Sequence, residues 1–220
     1  MFALLLSTAL AADAWDLEPS VTRAGSYRFL LPDERDQELT DGLLARLRDG
    51  DEDAAVRQAL VEALPRSGGD WSAVTALYAA EVAPVRATMV DGARHADPEL
   101  ATTLVRLALA DADWEVRAAG ARAAGWQTEL GDALAADVLG ALDDGHPEVR
   151  AFAARSAGWL ALDAFAQVEP LLSDVDPTVR LNSLRALERM DEDRLRTLPV
   201  LATLEGDADP RIARAVAGLR

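Results

Sequence analysis

The chain has 220 residues, half of them apolar, and 38 acidic against 22 basic side chains give it a formal net charge of −16. Such a surface repels nucleic acid and anionic lipid as a whole, so no nucleic-acid partner is expected, although a local basic stripe is compatible with it. Cys and Lys are both absent, every basic residue being Arg, which excludes disulfides, thiol catalysis, zinc–thiolate sites, Schiff-base chemistry and a phosphate-loop lysine. Ile212 and Asn182 are the sole representatives of their residue types. This shortage of residues with AT-rich codons points to a GC-rich bacterial genome.

Residues 1–11 are uncharged and mostly apolar. They match the length of a signal-peptide core and fall well short of the roughly 20 residues of a membrane span. Ala9-Leu10-Ala11 is a small-x-small cleavage site, so residues 1–11 are expected to be a signal peptide. The mature protein is then expected in the periplasm or outside the cell, and without cleavage in the cytoplasm. Residues 12–35 carry Pro19, Gly25 and Pro32 and belong to no repeat; an amino-terminal arm is expected there.

From residue 36 to residue 220 the pattern is periodic. A Val-Arg pair stands at Val56-Arg57, Val85-Arg86, Val116-Arg117, Val149-Arg150 and Val179-Arg180, followed by Ile212-Ala213. A step of about 30 residues without a strand pattern between marks stacked helical hairpins. First helices are expected at 37–48, 71–80, 98–109, 131–142, 163–172 and 193–204. Second helices are expected at 54–64, 83–94, 114–125, 147–159, 177–189 and 210–219. The fold expected is therefore all-α, an α-solenoid of about six antiparallel helix pairs in one domain.

The turns explain where the second helices start. Three residues before the apolar member sits Asp53, Asp113, His146, Asp176 or Asp209. An Asp there accepts from the free N–H groups of the first turn, worth about 1 kcal/mol. Pro147, Pro177 or Pro210 follows at the first helical position, where the missing N–H costs nothing. Apolar residues then recur at helical spacing, as in Val149, Phe152, Ala153 and Ala157, and predict one buried face. A second column lies six residues before each Arg position: Asp51, Asp111, Asp144, Asp174 and Asp207, with Ala80 as the departure. These Asp side chains and Arg57, Arg86, Arg117, Arg150 and Arg180 are expected to hydrogen-bond across repeat junctions as structural turn columns.

The Asp-x-x-Pro-x-Val-Arg turn, as in Asp174-Val175-Asp176-Pro177-Thr178-Val179-Arg180, resembles the HEAT repeat, and most closely the short form named after the phycobilisome lyases. The resemblance covers residues 36–220 and implies a right-handed superhelix whose second helices line a concave face. It implies little about function, because such repeats serve many roles.

Catalytic constellations are scarce. His146 occupies a cap slot and His95 ends a helix, where a positive charge suits the helix dipole. The densest acidic cluster, Asp49-Gly50-Asp51-Glu52-Asp53, lacks the length and the terminal Glu of an EF-hand and reads as caps and a solvated turn. Neither a metal nor a cofactor is expected. A sharper pattern lies six and ten residues after the Val positions. It holds Arg122 with Trp126, Arg155 with Trp159, and Arg185 with Arg189. Residues four apart share a helix face, so a cationic and aromatic stripe is predicted. Arg and Trp are enriched at binding hot spots. Trp71 and Trp114 start helices and read as packing residues.

The expected function is a non-enzymatic scaffold that binds a protein or peptide. The resemblance leaves a solenoid enzyme as the alternative, similar to alkylpurine DNA glycosylases or to bilin lyases. Self-association through the last repeat, where Val216 and Leu219 stand uncapped, is a further expectation.

Overall fold

The computed structural model describes residues 37–50 and 53–219. The expected signal peptide, the expected arm and Asp51 lie outside the described residues. Among the described residues the structure is helical throughout, with eleven α-helices joined by turns and short 3₁₀ segments. Packing divides the chain into two compact units, one up to Leu104 and one from Val105.

In the first unit, α1 (Gln37–Asp49) and α2 (Ala54–Ser67) are joined by a short turn, with Asp53 capping α2 through the Val56 N–H at 3.0 Å. Leu43, Leu47, Leu60 and Leu64 are fully buried between them. The pair is also tied by polar groups. The hydroxyls of buried Thr40 and Ser67 lie 2.5 Å apart, and Thr40 accepts from the Gly69 N–H. The expected first helix at 71–80 is instead two 3₁₀ segments, Ser72–Ala76 and Tyr78–Ala80. Ser, Val and Thr are weak helix formers, and their hydroxyls compete for backbone groups; the Thr75 hydroxyl donates to the Ser72 carbonyl at 2.9 Å. Helix α3 (Ala83–Asp91) follows and ends in a 3₁₀ turn, Gly92–His95. Gly92 makes room for buried Trp71, whose ring would lie 3.1 Å from an added Cβ.

Helix α4 (Pro98–Leu109) is capped by Asp97, which accepts from the Glu99 and Leu100 N–H groups. In the second unit follow α5 (Trp114–Ala124), α6 (Gly131–Gly140), α7 (Pro147–Trp159), α8 (Phe165–Val168), α9 (Pro177–Arg196), α10 (Leu201–Leu204) and α11 (Pro210–Gly218). The second helices pack in order, α5 on α7, α7 on α9, and α9 on α11. Small residues set how closely they approach. A Cβ on Gly158 would lie 2.8 Å from the Ala186 Cα, and one on Gly120 would lie 2.7 Å from the Ala108 Cβ. The polar Ser156 is fully buried here and donates to the Ala121 carbonyl at 2.6 Å.

Two further first helices depart from the expected bounds. The segment 163–172 is one turn of α-helix, α8, continued by a 3₁₀ stretch, Glu169–Ser173, whose Pro170 lacks an N–H for a regular ladder. The helix expected at 193–204 is divided. Helix α9 runs on to Arg196 but breaks at Asp191 (φ −161°, ψ 91°), whose carboxylate accepts from the Arg194 N–H and starts a new turn. Val216 and Leu219, left uncapped by the sequence pattern, are buried, and Arg196 donates to the Leu219 carbonyl at 2.6 Å. These two side chains therefore present no exposed apolar face.

Candidate binding stripe and the turn ladder

Each junction of the second unit uses the same contact. The Arg117 guanidinium grips the Asp144 carboxylate with two hydrogen bonds of 2.7 and 3.1 Å. Arg150 grips Asp174 at 2.8 and 3.0 Å, and Arg180 grips Asp207 at 2.8 Å twice. The remaining edge of each Arg donates to carbonyls of its own turn: Asp111 and Ala112, Asp144 and Gly145, Asp174 and Val175. Each Asp also accepts from the N–H two residues on, as Asp144 does from His146 at 2.8 Å. One side chain thus closes its own turn and holds the next. Bidentate, charge-assisted pairs of this kind are the strong ones.

The titration of the ladder follows from this geometry. Burial opposes ionisation of Asp144 and Asp174, but the paired guanidinium and the backbone N–H outweigh it and hold both carboxyls below the usual range. Arg180 does the same for Asp207. The partner arginines are pushed up, chiefly by these hydrogen bonds.

The first unit carries the same device in altered form. Arg57 donates to the Leu47 carbonyl and grips the carboxylate of Glu81, whose side chain is 2% exposed. Glu81 stands one residue after Ala80, the gap in the Asp column; its longer side chain covers the offset. Sequence periodicity misses it because the column is counted by position and not by reach. Arg86 donates to the backbone carbonyl of Glu81.

The cationic and aromatic residues of the second unit form a continuous series. The Arg122 guanidinium lies 5.7 Å from the Trp126 ring and 5.8 Å from the Phe152 ring. Arg155 lies between Phe152 at 4.7 Å and Trp159 at 4.8 Å. The order Trp126–Arg122–Phe152–Arg155–Trp159 therefore alternates ring and cation across α5 and α7. Phe152, expected on the buried face, is only partly buried and is the link between the two Arg–Trp pairs. The corresponding position holds Ala59, Thr88, Ala119, Asn182 or Ala215 in the other repeats. A lone aromatic among small and polar residues was the available signal.

Local structure positions these side chains. Helix α5 ends at Ala124, so Trp126 sits in the turn beyond it and not on the helix, held by its N–H to the Ala123 carbonyl at 3.0 Å. Trp159 is the last residue of α7 and is 39% exposed. Behind it, Ala161 adopts φ 51°, and the Leu162 N–H reaches back to the Ala157 carbonyl at 3.1 Å. This is the left-handed helix stop usually given to Gly. Gly125 lets the two helix ends meet, since a Cβ there would lie 3.2 Å from the Trp159 ring.

Arg185 and Arg189, on α9, are exposed and have no hydrogen bond or ion pair among the described residues. With Arg155, Trp159, Asn182, Ala186 and Glu188 they line a cavity of about 490 Å³. Burial first, and then the charge of Arg122, lower the pKa of Arg155.

The two histidines serve local packing. The His146 ring gives no cap hydrogen bond; it stacks on Trp114 with centroids 3.6 Å apart. His95 accepts from the Arg94 guanidinium at 3.0 Å, and burial together with Arg94 and Arg66 lowers its pKa. It is therefore a neutral acceptor near neutral pH, not the positive charge expected at that helix end. Among the described residues no group of three or more His, Asp or Glu side chains is placed to hold a metal ion, and no helix is long and apolar enough to cross a membrane.

Helical hairpins joined by a repeated Asp–Arg turn contact define a helical-repeat protein. Residues 136–220 match the profile of the HEAT repeats, a match that supports a HEAT-repeat protein. No curated protein matches the chain.

Proposed function

We propose that this chain is a non-enzymatic scaffold that holds a protein or peptide partner along the Trp126–Arg122–Phe152–Arg155–Trp159 series and the adjoining Arg185 and Arg189. The observation that carries this reading is the alternation of three rings with two guanidiniums, which ends on an exposed Trp beside a 490 Å³ cavity. Arg and Trp at a partly desolvated surface are the residue types that dominate interface energetics. HEAT repeats commonly bind proteins, which supports the same reading. The side chains suited to acid–base chemistry have structural occupations: His146 stacks on Trp114, His95 accepts from Arg94, and the turn Asp residues hold arginines.

Affinity capture with the wild type and with the Trp126→Ala, Trp159→Ala double variant tests this. The folded variant is expected to lose partners that the wild type retains. Equal capture by both proteins would overturn the assignment of the stripe. Reading residues 1–11 as an export signal places the scaffold outside the cytoplasm. Mass spectrometry of the native protein is expected to show cleavage after Ala11, and an intact Met1 would sink that proposal.

A further inference from the structure

The stripe holds an electrostatic imbalance. Acidic residues outnumber arginines by 38 to 22, and most arginines of the second unit have found a carboxylate. Besides the three of the ladder, Arg106 pairs with Asp137, Arg194 with Glu169, Arg196 with Glu192, and Arg211 with Asp209. Arg155, Arg185 and Arg189 have none among the described residues. Arg155 is the sharpest case. Its Nε is buried without a hydrogen-bond partner, its guanidinium is held between two rings, and the charge of Arg122 is close enough to oppose its own. A guanidinium withdrawn from water next to a like charge costs stability until an anion meets it. The cavity beside it has the volume of a ligand site, about 300–1,000 Å³.

We infer that the cavity between α7 and α9 is a recognition site for an acidic peptide segment of the partner, its carboxylates engaging Arg155 and the pair Arg185 and Arg189, and a neighbouring apolar side chain covering Trp159. This rests on the scaffold reading above and adds the chemistry of the partner. A carboxylate matches the planar fork of Arg with two parallel hydrogen bonds. The exposed Trp159 face takes an apolar or ring side chain, which a free inorganic anion would leave unused. Glu188, on the cavity wall, repels a carboxylate placed against it and favours a register in which the acidic side chains lie toward the three arginines. The alkyl part of Arg155 stays packed between the rings, so neutralising its head changes the site without emptying it.

The test uses the full chain and three labelled decapeptides in fluorescence anisotropy: one with four Glu residues flanking a central Phe, its Glu→Gln counterpart, and its Glu→Arg counterpart. The Glu peptide is expected to bind at least tenfold more tightly than the Gln peptide. Its affinity should fall as salt rises, and the Arg peptide should not bind. Arg155→Met, which retains bulk between Phe152 and Trp159, and the surface double variant Arg185→Gln, Arg189→Gln should each weaken the Glu peptide at least tenfold. Both should keep the wild-type circular dichroism spectrum. Trp159→Ala should weaken the Phe-containing Glu peptide several-fold and leave an all-Glu control unchanged. No binding of the Glu peptide at about 1 mM, corresponding to roughly 4 kcal/mol, or equal binding of the Gln peptide, would overturn the acidic specificity. If the capture experiment still depends on Trp126 and Trp159, the scaffold reading stands and only the partner chemistry fails. Loss of neither peptide nor partner in the variants overturns both.

Discussion

Arg150 makes four hydrogen bonds, two to Asp174 across the junction and two to carbonyls of its own turn. Its side chain is 15% exposed and that of Asp174 8%, so water screens the pair only slightly. Arg106, which pairs with Asp137, is 53% exposed and fully within reach of solvent. These two ion pairs should therefore differ in energetic weight, the more so because Arg150 gives Asp174 two hydrogen bonds and Arg106 gives Asp137 one, of 3.1 Å. Arg150→Ala is expected to cost about 2 kcal/mol, since it leaves a buried carboxylate short of its partner. Arg106→Ala is expected to cost less than about 1 kcal/mol. Urea denaturation of both variants checks the ordering, and equal costs would remove the ladder from its structural role. Glu81 belongs to the same scale. Its carboxylate is buried against Arg57, so Glu81→Ala should destabilise the first unit by about 2 kcal/mol, seen as faster amide exchange in α2.

At the scale of the element, helix ends and helix contacts decide where the stripe sits. Gly158 touches the α9 backbone at a distance no Cβ can occupy. Gly158→Ala should push α7 and α9 apart and cost about 1–3 kcal/mol in a denaturation experiment. Ala161 holds a left-handed conformation that disfavours a Cβ by about 1 kcal/mol. Ala161→Gly is accordingly expected to raise the melting temperature slightly, even after the added freedom of the unfolded chain is counted. A lower melting temperature would show that this helix stop is held by contacts of the Ala side chain. The divided α9 has a similar local cause: Asp191 competes for a backbone N–H as a new cap, and the helical ladder yields to it.

For the whole molecule, the ladder makes stability depend on pH. Asp144, Asp174 and Asp207 have folded pKa values below those of the unfolded chain. Their contribution is complete above the ordinary carboxylate range, near pH 4, and is lost as pH falls through the lowered folded values. Asp209 is pulled down to about 2 by the Arg211 side chain and backbone N–H. Apart from a shallow loss below about pH 6.5, where His95 takes up a proton more readily in the unfolded chain, stability is expected to change little down to about pH 5 and to drop below about pH 4. Asp174→Asn should make that drop shallower in an acid titration followed by circular dichroism. An acid profile identical to that of the wild type would mean that the pair adds no stability.

The period of the chain by itself determined the helical-repeat architecture, the start of most second helices and the positions of the Asp and Arg columns. These features are local and recur: an Asp caps the N–H groups next to it in sequence, and a contact repeated at every junction leaves a repeated residue. Only the tertiary structure decided the rest. Glu81 fills the place of an absent Asp because a longer side chain spans a one-residue offset. Phe152 joins two Arg–Trp pairs because packing brings α7 beside α5. Arg155 is left without an anion because of what surrounds it, not because of where it stands in the repeat. Periodicity records which positions are equivalent; the reach, burial and charge of particular side chains decide what each position does.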